Sequence, residues 1–340
     1  MPTQNKSLIF KEAVPPATYP VPGKHLKLEE GSIDLDAPLS NGAVLVKTKV
    51  LSFDPYMRSR LRAPGTKSYV PEFELNKPLQ NFGVGEVIQV GEGASLKVGD
   101  HVYGTFEFSE YVVFDKDAAS QLKVLENKEG LPWSTYVGAA GMPAQTAYVG
   151  LKDIAKPQKG ETIFVSSASG AVGQVVIGLA HKAGCKVIAA AGTDEKVQIL
   201  KDKFGVEHAF NYKTTDIKEY LSKHEYQMYW DNVAGPTLQA VLDTIQPRGR
   251  IVACGAANDY NEKPYGITNI FNVVAKELHY EGFIVLNRDI SGFYETIPAM
   301  IANGELVKPV EHIVKGLDNG ETFVGLLKGE NVGKCIVSLE

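Results

Sequence analysis

The sharpest chemical signal in the chain is a short polar turn that follows an apolar run. Thr162–Ser166 reads as a β-strand, and Ser166-Ser167-Ala168-Ser169-Gly170-Ala171-Val172-Gly173 leads from it into an apolar helix over Ala171–Ala183. Glycine at 170 lets the backbone approach a bulky anion, and glycine at 173 lets the helix pack close on the strand before it. Free N–H groups and the helix dipole at such an N-terminus favour phosphate. A second apolar run, Lys186–Ala190, completes a strand–turn–helix–strand frame. In that frame the anion would be the pyrophosphate of a dinucleotide, seated on the helix N-terminus that Gly170, Ala171, Val172 and Gly173 open. Taken alone, the turn also fits a tight connection with no ligand, and Ser167 stands where a full fingerprint has its first glycine.

The next strand end bears on which dinucleotide. Some 20 residues after the turn, an NAD-binding domain usually presents Asp or Glu to the adenosine ribose. Here the strand ends Ala189-Ala190-Ala191-Gly192, with Lys196 and Tyr212 following. A missing anion and a nearby cation suit a 2′-phosphate, which favours NADP(H). Asp194 and Glu195 argue the other way, but they lie in the first turn of a helix, where acids are common. Lys196 by itself would also pass for an ordinary solvated helix residue.

Metal chemistry has little to build on. Zinc in a related architecture would need Cys, His and carboxylate ligands grouped early in the chain. No cysteine precedes Cys185, and the histidines before it, His25, His101 and His181, are scattered. A structural four-cysteine lobe is impossible with three cysteines, so no metal is expected. Carbonyl activation then falls to hydrogen-bond donors, which suffices when the acceptor is a conjugated double bond passing through an enolate.

The elements around these residues divide into two textures. Up to about Glu126 the chain reads as short strands. Gly42–Ser52 and Gly83–Val90 alternate apolar and polar residues, and Tyr111–Phe114 follows. Dense early proline, at 15, 16, 20 and 22, disfavours a starting helix. Beyond Glu126, strands and helices alternate: helices at Val197–Phe204 and Leu238–Ile245, strands at His208–Phe210, Tyr226–Trp230, Arg250–Cys254 and Tyr280–Val285. Helical crossovers of this length imply parallel pairing and a doubly wound sheet. A helix at Tyr294–Ala302 and β-like pieces at Thr322–Leu327 and Lys334–Leu339 break that rhythm and are expected to return to the first domain. The expected organisation is α/β, with an irregular β domain over 1–126, a dinucleotide domain over 127–292 and a returning segment over 293–340.

Composition narrows the setting. The chain has 340 residues, 44% hydrophobic and 22% charged, with net charge −5 and both signs interspersed. That fits two globular domains and gives no footprint for nucleic acid or an anionic membrane. No apolar run reaches membrane-spanning length, and the first residues lead into no secretory region. Cys185, Cys254 and Cys335 are too few and too far apart for a disulfide framework, so a reducing, cytoplasmic compartment is expected.

Taken together, the ordered motifs resemble the medium-chain dehydrogenase/reductase superfamily. Within it they are similar to the branch of leukotriene B4 12-hydroxydehydrogenase/prostaglandin reductases and alkenal double-bond reductases. The resemblance runs through Asp54-Pro55-Tyr56-Met57-Arg58, Gly141-Met142-Pro143-Ala144-Gln145-Thr146-Ala147-Tyr148 and Ala168–Gly173. It continues through Ala191–Lys196, Phe210–Lys213, Asp231-Asn232-Val233, Cys254–Ala256 with Tyr260-Asn261, Gly282–Val285 and Asn331–Lys334. It implies a GroES-like first domain, completed by the C-terminal segment, and a Rossmann domain. It also implies contacts from Lys196 and Tyr212 to the 2′-phosphate. Asn232, Cys254, Gly255, Ala256, Tyr260, Phe283, Ile284, Val285 and Asn331 would line the rest of the cofactor. A homodimer joined through the Rossmann sheets is implied as well. Ala234 departs from the branch, which has glycine after Asp-Asn-Val.

The expected reaction is zinc-independent, NADPH-dependent reduction of the carbon–carbon double bond of a small enal or enone. Tyr260 is the expected donor to the substrate carbonyl, directly or through the nicotinamide ribose hydroxyl, since a phenol with pKa near ~10 keeps its proton at neutral pH. The alternative is a tyrosine packed on the cofactor with no proton role. Tyr56 is the second candidate, in substrate orientation. The ordinary reading of Arg58 is a surface ion pair. Tyr69, Phe82, Phe106 and Tyr265 are candidates for an apolar pocket wall. Two rivals stand: a quinone reductase of the zeta-crystallin-like type, and a non-catalytic NADPH-binding protein.

Overall fold

A computed structural model describes residues 2–340, and the chain divides into two compact units, Met1–Gly138 with Glu311–Glu340, and Ala139–Val310. The first unit opens with β1 (Pro2–Phe10) and β2 (Leu26–Asp34), an antiparallel pair of their own. β3 (Val44–Ser52) leads to a single turn of helix, α1 (Met57–Arg60), then β4 (Gln80–Val90), β5 (His101–Glu107) and β6 (Tyr111–Phe114). A short α2 (Lys116–Ser120) and β7 (Lys123–Val124) follow. β3 is largely buried, with only Lys47 exposed, and it pairs antiparallel with both β4 and β6.

The second unit starts with α3 (Met142–Val149) and then alternates strictly. The strands are β8 (Thr162–Val165), β9 (Lys186–Ala191), β10 (His208–Asn211), β11 (Met228–Asp231), β12 (Arg250–Ala253) and β13 (His279–Gly282). Between them run α4 (Ala171–Lys182), α5 (Asp194–Phe204), α6 (Ile217–Leu221), α7 (Gly235–Thr244) and α8 (Asn272–Ala275), and α9 (Phe293–Ala302) closes the unit. All six strands are parallel, in the order β10-β9-β8-β11-β12-β13. That is the Rossmann order, and it reverses between β8 and β11, where ligands of such sheets bind at the carboxyl ends.

The chain then re-enters the first unit as β14 (Glu311–Lys315), α10 (Gly320–Leu327) and β15 (Lys334–Ser338). β15 lies antiparallel against β3 and parallel to β14. The first unit's core gathers Phe10, Phe53, Phe106, Phe108 and Phe323 with Leu, Val and Met side chains.

Three sequence expectations need correction. Residues 127–138 belong to the first unit: Trp133 stacks on His101 at 4.1 Å, and the Tyr136 hydroxyl donates to Asn127 at 2.9 Å. Residues 293–310 stay in the second, because α9 buries Phe293 and Ile297, and Tyr294 accepts from Gln145 of α3 at 3.0 Å. The Val310 amide also donates to Gln174 of α4 at 2.7 Å. Finally, Thr322–Leu327 is helical rather than β-like. Its buried residues Gly320, Phe323 and Val324 have the i, i+3, i+4 spacing of a helix face.

Candidate active site

In the second unit, the expected phosphate turn sits at the Rossmann switch point. Gly170 is the N-cap of α4 with extended backbone. A Cβ on Gly173 would lie 2.7 Å from Ala168 Cα and from the Ser167 and Ala168 carbonyl oxygens, so only glycine allows the helix to start this close to the turn. Ser167 takes φ +46°, the left-handed conformation that glycine adopts most readily. The turn is held from below, since Ala168 N–H donates to Ala190 O at 3.0 Å. What remains at the mouth is a three-turn helix with open N–H groups, which fits a pyrophosphate.

The loop after β11 is stitched to the same point. Asn232 N–H donates to Ser166 Oγ at 3.0 Å, and Asn232 Nδ2 donates to Ser166 O at 2.7 Å. Trp230 Nε1 donates to Asn232 Oδ1 at 3.0 Å, so the Asn232 amide is braced on both ends. Asp231 is buried, and its Oδ1 accepts from Tyr229 Oη, Val233 N and Ala234 N at 2.8, 3.0 and 2.7 Å. Burial outweighs these donors and pushes its carboxyl up to about 6. Sequence reasoning gave neither Ser166 nor Asp231 a role. The Ser166–Asn232 pairing joins distant parts of the chain and cannot be read from spacing, whereas the Asp231 carboxyl bonds to its near neighbours Tyr229, Val233 and Ala234.

At the carboxyl end of β9 stand Gly192, Lys196 and Tyr212. The Tyr212 ring lies against Gly192, where an added Cβ would meet its hydroxyl at 3.1 Å. Lys196 is only 7% exposed, which corrects its reading as an ordinary solvated residue. Asp194 and Glu195 are exposed, and Asp194 is engaged by Asn211 Nδ2 at 2.8 Å. The residues present therefore fit a 2′-phosphorylated ribose better than a free one.

The loop after β12 is laid on the β11 loop. Ala257 N–H donates to Asn232 O at 3.2 Å, and Asn258 N–H to Val233 O at 3.1 Å. Tyr260 follows directly, part-exposed, with Tyr265 exposed further along the same loop. Cys254 and Gly255 begin that loop, and burial pushes the Cys254 thiol up to about 12. After β13, Phe283 meets Trp230 edge-on at 6.2 Å, Ile284 is exposed, and Val285 opens a 3-10 turn. Among the described residues, no group of three or more His, Cys, Asp or Glu side chains is placed to hold a metal ion.

The first unit carries Tyr56 on the turn entering α1. Its hydroxyl donates to Asn81 Oδ1 of β4 at 2.6 Å. Asn81 Nδ2 donates to Asp54 Oδ2 at 2.9 Å and to Ser52 O at 2.7 Å, and Ser52 Oγ donates to the same carboxylate. Lys334 Nζ reaches Asp54 Oδ1 at 2.7 Å and Phe53 O at 2.5 Å, so the returning segment anchors the turn. Burial raises the Tyr56 phenol's pKa, with the Asp54 charge adding to the rise. Asn331, just before β15, caps its own turn by donating to Gly333 O at 2.7 Å.

Two assignments in this unit are corrected. Phe106 is wholly buried against Phe114, filling the space left by Gly83 and Gly85 on the neighbouring strand, so it is core and not pocket wall. Arg58 is buried and donates to the carbonyls of Pro15 and Thr18, bracing the proline-rich loop rather than sitting at the surface. Phe82 stacks on Tyr103 at 5.6 Å, and strand alternation puts it on the opposite face of β4 from Asn81. Tyr69 is 57% exposed and close enough to act electrostatically on the Tyr56 phenol.

A GroES-like unit and a Rossmann unit with a phosphate-ready switch point define a dinucleotide-dependent oxidoreductase of the medium-chain dehydrogenase/reductase superfamily, to which the chain belongs. Residues 171–302 match the family described as zinc-binding dehydrogenase, and residues 22–122 match the N-terminal domain of oxidoreductase. The chain is 37% identical to NADP-dependent oxidoreductase RED1 of Cochliobolus heterostrophus, over 99% of this chain and 98% of that protein. It is 38% identical to the NADP(+)-dependent 2-alkenal reductase of Nicotiana tabacum, over 98% of this chain and 97% of that one. Its place in the superfamily is the alkenal reductase branch. Among solved structures, CurA of Vibrio vulnificus in complex with NADPH is 30% identical with TM-score 0.87, covering 98% of this chain and 99% of that one.

Proposed function

We propose that this protein uses NADPH to reduce the carbon–carbon double bond of α,β-unsaturated aldehydes and ketones. The observation that carries the reading is the end of β9, where the buried Lys196 and the exposed Tyr212 stand in place of a carboxylate, beside the Gly170–Gly173 turn. Likeness to an NADP-dependent 2-alkenal reductase and to an NADPH-bound structure supports both cofactor and reaction class.

When bound, NADPH supplies the hydride that adds to the β-carbon. The chain's residues do the rest. Gly170, Ala171, Val172 and Gly173 offer N–H groups to the pyrophosphate, and Lys196 and Tyr212 hold the 2′-phosphate. Asn232, Cys254, Gly255, Ala256, Phe283, Ile284, Val285 and Asn331 line the remainder. The Tyr260 hydroxyl donates to the substrate carbonyl, stabilising the enolate that forms as charge moves onto oxygen. Tyr56 orients the substrate, and Tyr69, Tyr265 and Phe82 offer aromatic surface to it. No metal takes part, a reading supported by the lack of any cysteine before Cys185.

The working form we propose is a cytoplasmic homodimer. β13 is an edge strand of its sheet, and exposed Phe271, Val274, Tyr280, Ile284 and Leu286 lie on and beside it, a surface suited to a second copy. Among the described residues, no helix is long and apolar enough to cross a membrane. The test is NADPH consumption across alkenals, alkenones and simple quinones. Turnover confined to conjugated aldehydes and ketones is expected. Turnover of quinones alone would make it a quinone reductase, and tight NADPH binding with no turnover would make it a binding protein.

A further inference from the structure

One buried indole ties together the ends of three strands. Trp230 of β11 is wholly buried. Its neighbour Tyr229 joins the core cluster with Phe164 and Tyr226, so strand alternation turns Trp230 to the opposite face of the sheet. An indole has one polar hydrogen and can only donate it. Trp230 Nε1 gives it to Asn232 Oδ1 at 3.0 Å and shares it with the Cys254 thiol at the end of β12. Phe283, just after β13, meets the ring edge-on at 6.2 Å. A further side is closed by Gly150, the first residue of a π-type turn, Gly150–Ala155, that continues α3. Its backbone is helical, at φ −64° and ψ −33°, where alanine would ordinarily be the better residue. An added Cβ there would lie 2.4 Å from Trp230 Cη2 and 3.0 Å from Phe283 Cζ, so glycine makes room for the two rings.

The strand order of a Rossmann sheet divides it into two mononucleotide-binding halves. β8, β9 and β10 form the half that carries the phosphate turn and Lys196, and β11, β12 and β13 form the other. Asn232, Cys254 and Phe283 are each the first residue after one of those three strands, and the indole meets all of them. We infer that Trp230 is a positioning residue for the nicotinamide half of the cofactor: it holds Asn232, Cys254 and Phe283 in a single geometry, while the adenosine half is bound without its help. With the N–H removed, Asn232 Oδ1 loses its donor and the side-chain amide keeps only the Ser166 O tie on Nδ2, so its ordering falls to the binding step. This inference rests on the NADPH reading and on those three residues lining the cofactor.

The experiment is calorimetric titration of two ligands, NADPH and adenosine 2′,5′-bisphosphate, which carries the adenosine half alone. Trp230→Phe keeps an aromatic ring and removes the N–H. It should raise the Kd for NADPH roughly ten-fold, the worth of one good hydrogen bond, and leave the Kd for the bisphosphate within about two-fold of wild type. Lys196→Ala should weaken both ligands, which shows that the shorter one takes its expected place. In an Asn232→Ala background the effect of Trp230→Phe on NADPH should fall to about three-fold or less, since the indole then has one partner fewer. An NADPH Kd unmoved by Trp230→Phe, equal weakening of both ligands, or an NADPH effect of the same size in the Asn232→Ala background overturns the proposal and leaves the cofactor reading intact. No binding of NADPH by the wild type overturns that reading and the proposal with it. Should Trp230→Phe fail to fold, Gly150→Ala decides by the same split between ligands, because it displaces the ring and leaves the N–H in place.

Discussion

Replacing Lys334 by Met should be among the most damaging single changes in the first unit. Lys334 and Asp54 are almost fully buried, and Lys334 Nζ serves both Asp54 Oδ1 and Phe53 O. Met roughly keeps the apolar stem, so the loss isolates the ammonium group and not the packing. What remains is a carboxylate out of water whose Oδ2 keeps Ser52 and Asn81, and whose Oδ1 has lost its counter-ion. Breaking a buried pair on one side costs about 3–5 kcal/mol, against a total stability of about 5–15 kcal/mol. Asp54→Asn leaves the ammonium uncompensated and should cost a comparable amount. The double variant should cost about 1–3 kcal/mol less than the two singles summed, because neither charge is then stranded. Urea unfolding followed by far-ultraviolet circular dichroism measures all three. A Lys334→Met variant within about 1 kcal/mol of wild type, or strict additivity in the double, would show that the pair is solvated and the reasoning wrong.

Three further outcomes follow from the second unit. Lys196→Ala should reduce the NADPH-over-NADH preference in kcat/KM by roughly 10–100-fold, the loss of a charge-assisted bond to phosphate. An unchanged preference in steady-state kinetics would remove the 2′-phosphate assignment. Ala234→Gly should stabilise the protein by about 1 kcal/mol, since Ala234 is held at φ 57°, ψ −142°, costly for any residue with a Cβ. A lower thermal midpoint in Ala234→Gly would contradict that. Asp231, with its carboxyl raised from 3.8 to about 6, binds its proton more tightly in the folded state than in the unfolded chain. Its carboxylate therefore weakens folding above pH 6 by up to about 3 kcal/mol, and the penalty fades as pH falls through 6 and is gone below 3.8. The stability gained by Asp231→Asn relative to wild type should be largest above pH 6 and shrink toward pH 4. A gap that is flat with pH in urea titrations would show that the group is not perturbed.

The Rossmann half was legible in the sequence because its signals are local. Apolar runs such as Thr162–Val165 and Lys186–Ala191 are buried on both faces, and crossovers between them force parallel pairing. The cofactor turn and the absent acid after β9 lie within a few residues of one another. The first unit was legible only as strand texture. Its polar cluster joins Ser52, Asp54 and Tyr56 to Asn81 on a neighbouring strand and to Lys334 near the end of the chain, and no periodicity encodes pairings that distant. Phe106 looked like a candidate wall because aromatic type alone does not say which face a strand residue takes. Gly83 and Gly85 opposite it were the overlooked clue. The helix Gly320–Leu327 was misread because a segment of eight residues with Gly325 and the β-branched Thr322 and Val324 carries both periods.

The central claim, hydride delivery to carbon and not to the carbonyl, is tested most directly by where the label goes. With NADPH deuterated at the transferring position and an unlabelled 2-alkenal, mass spectrometry and NMR of the first product locate the deuterium. The account predicts a saturated aldehyde with one deuterium on the former β-carbon. An allylic alcohol with deuterium on the carbinol carbon would contradict it.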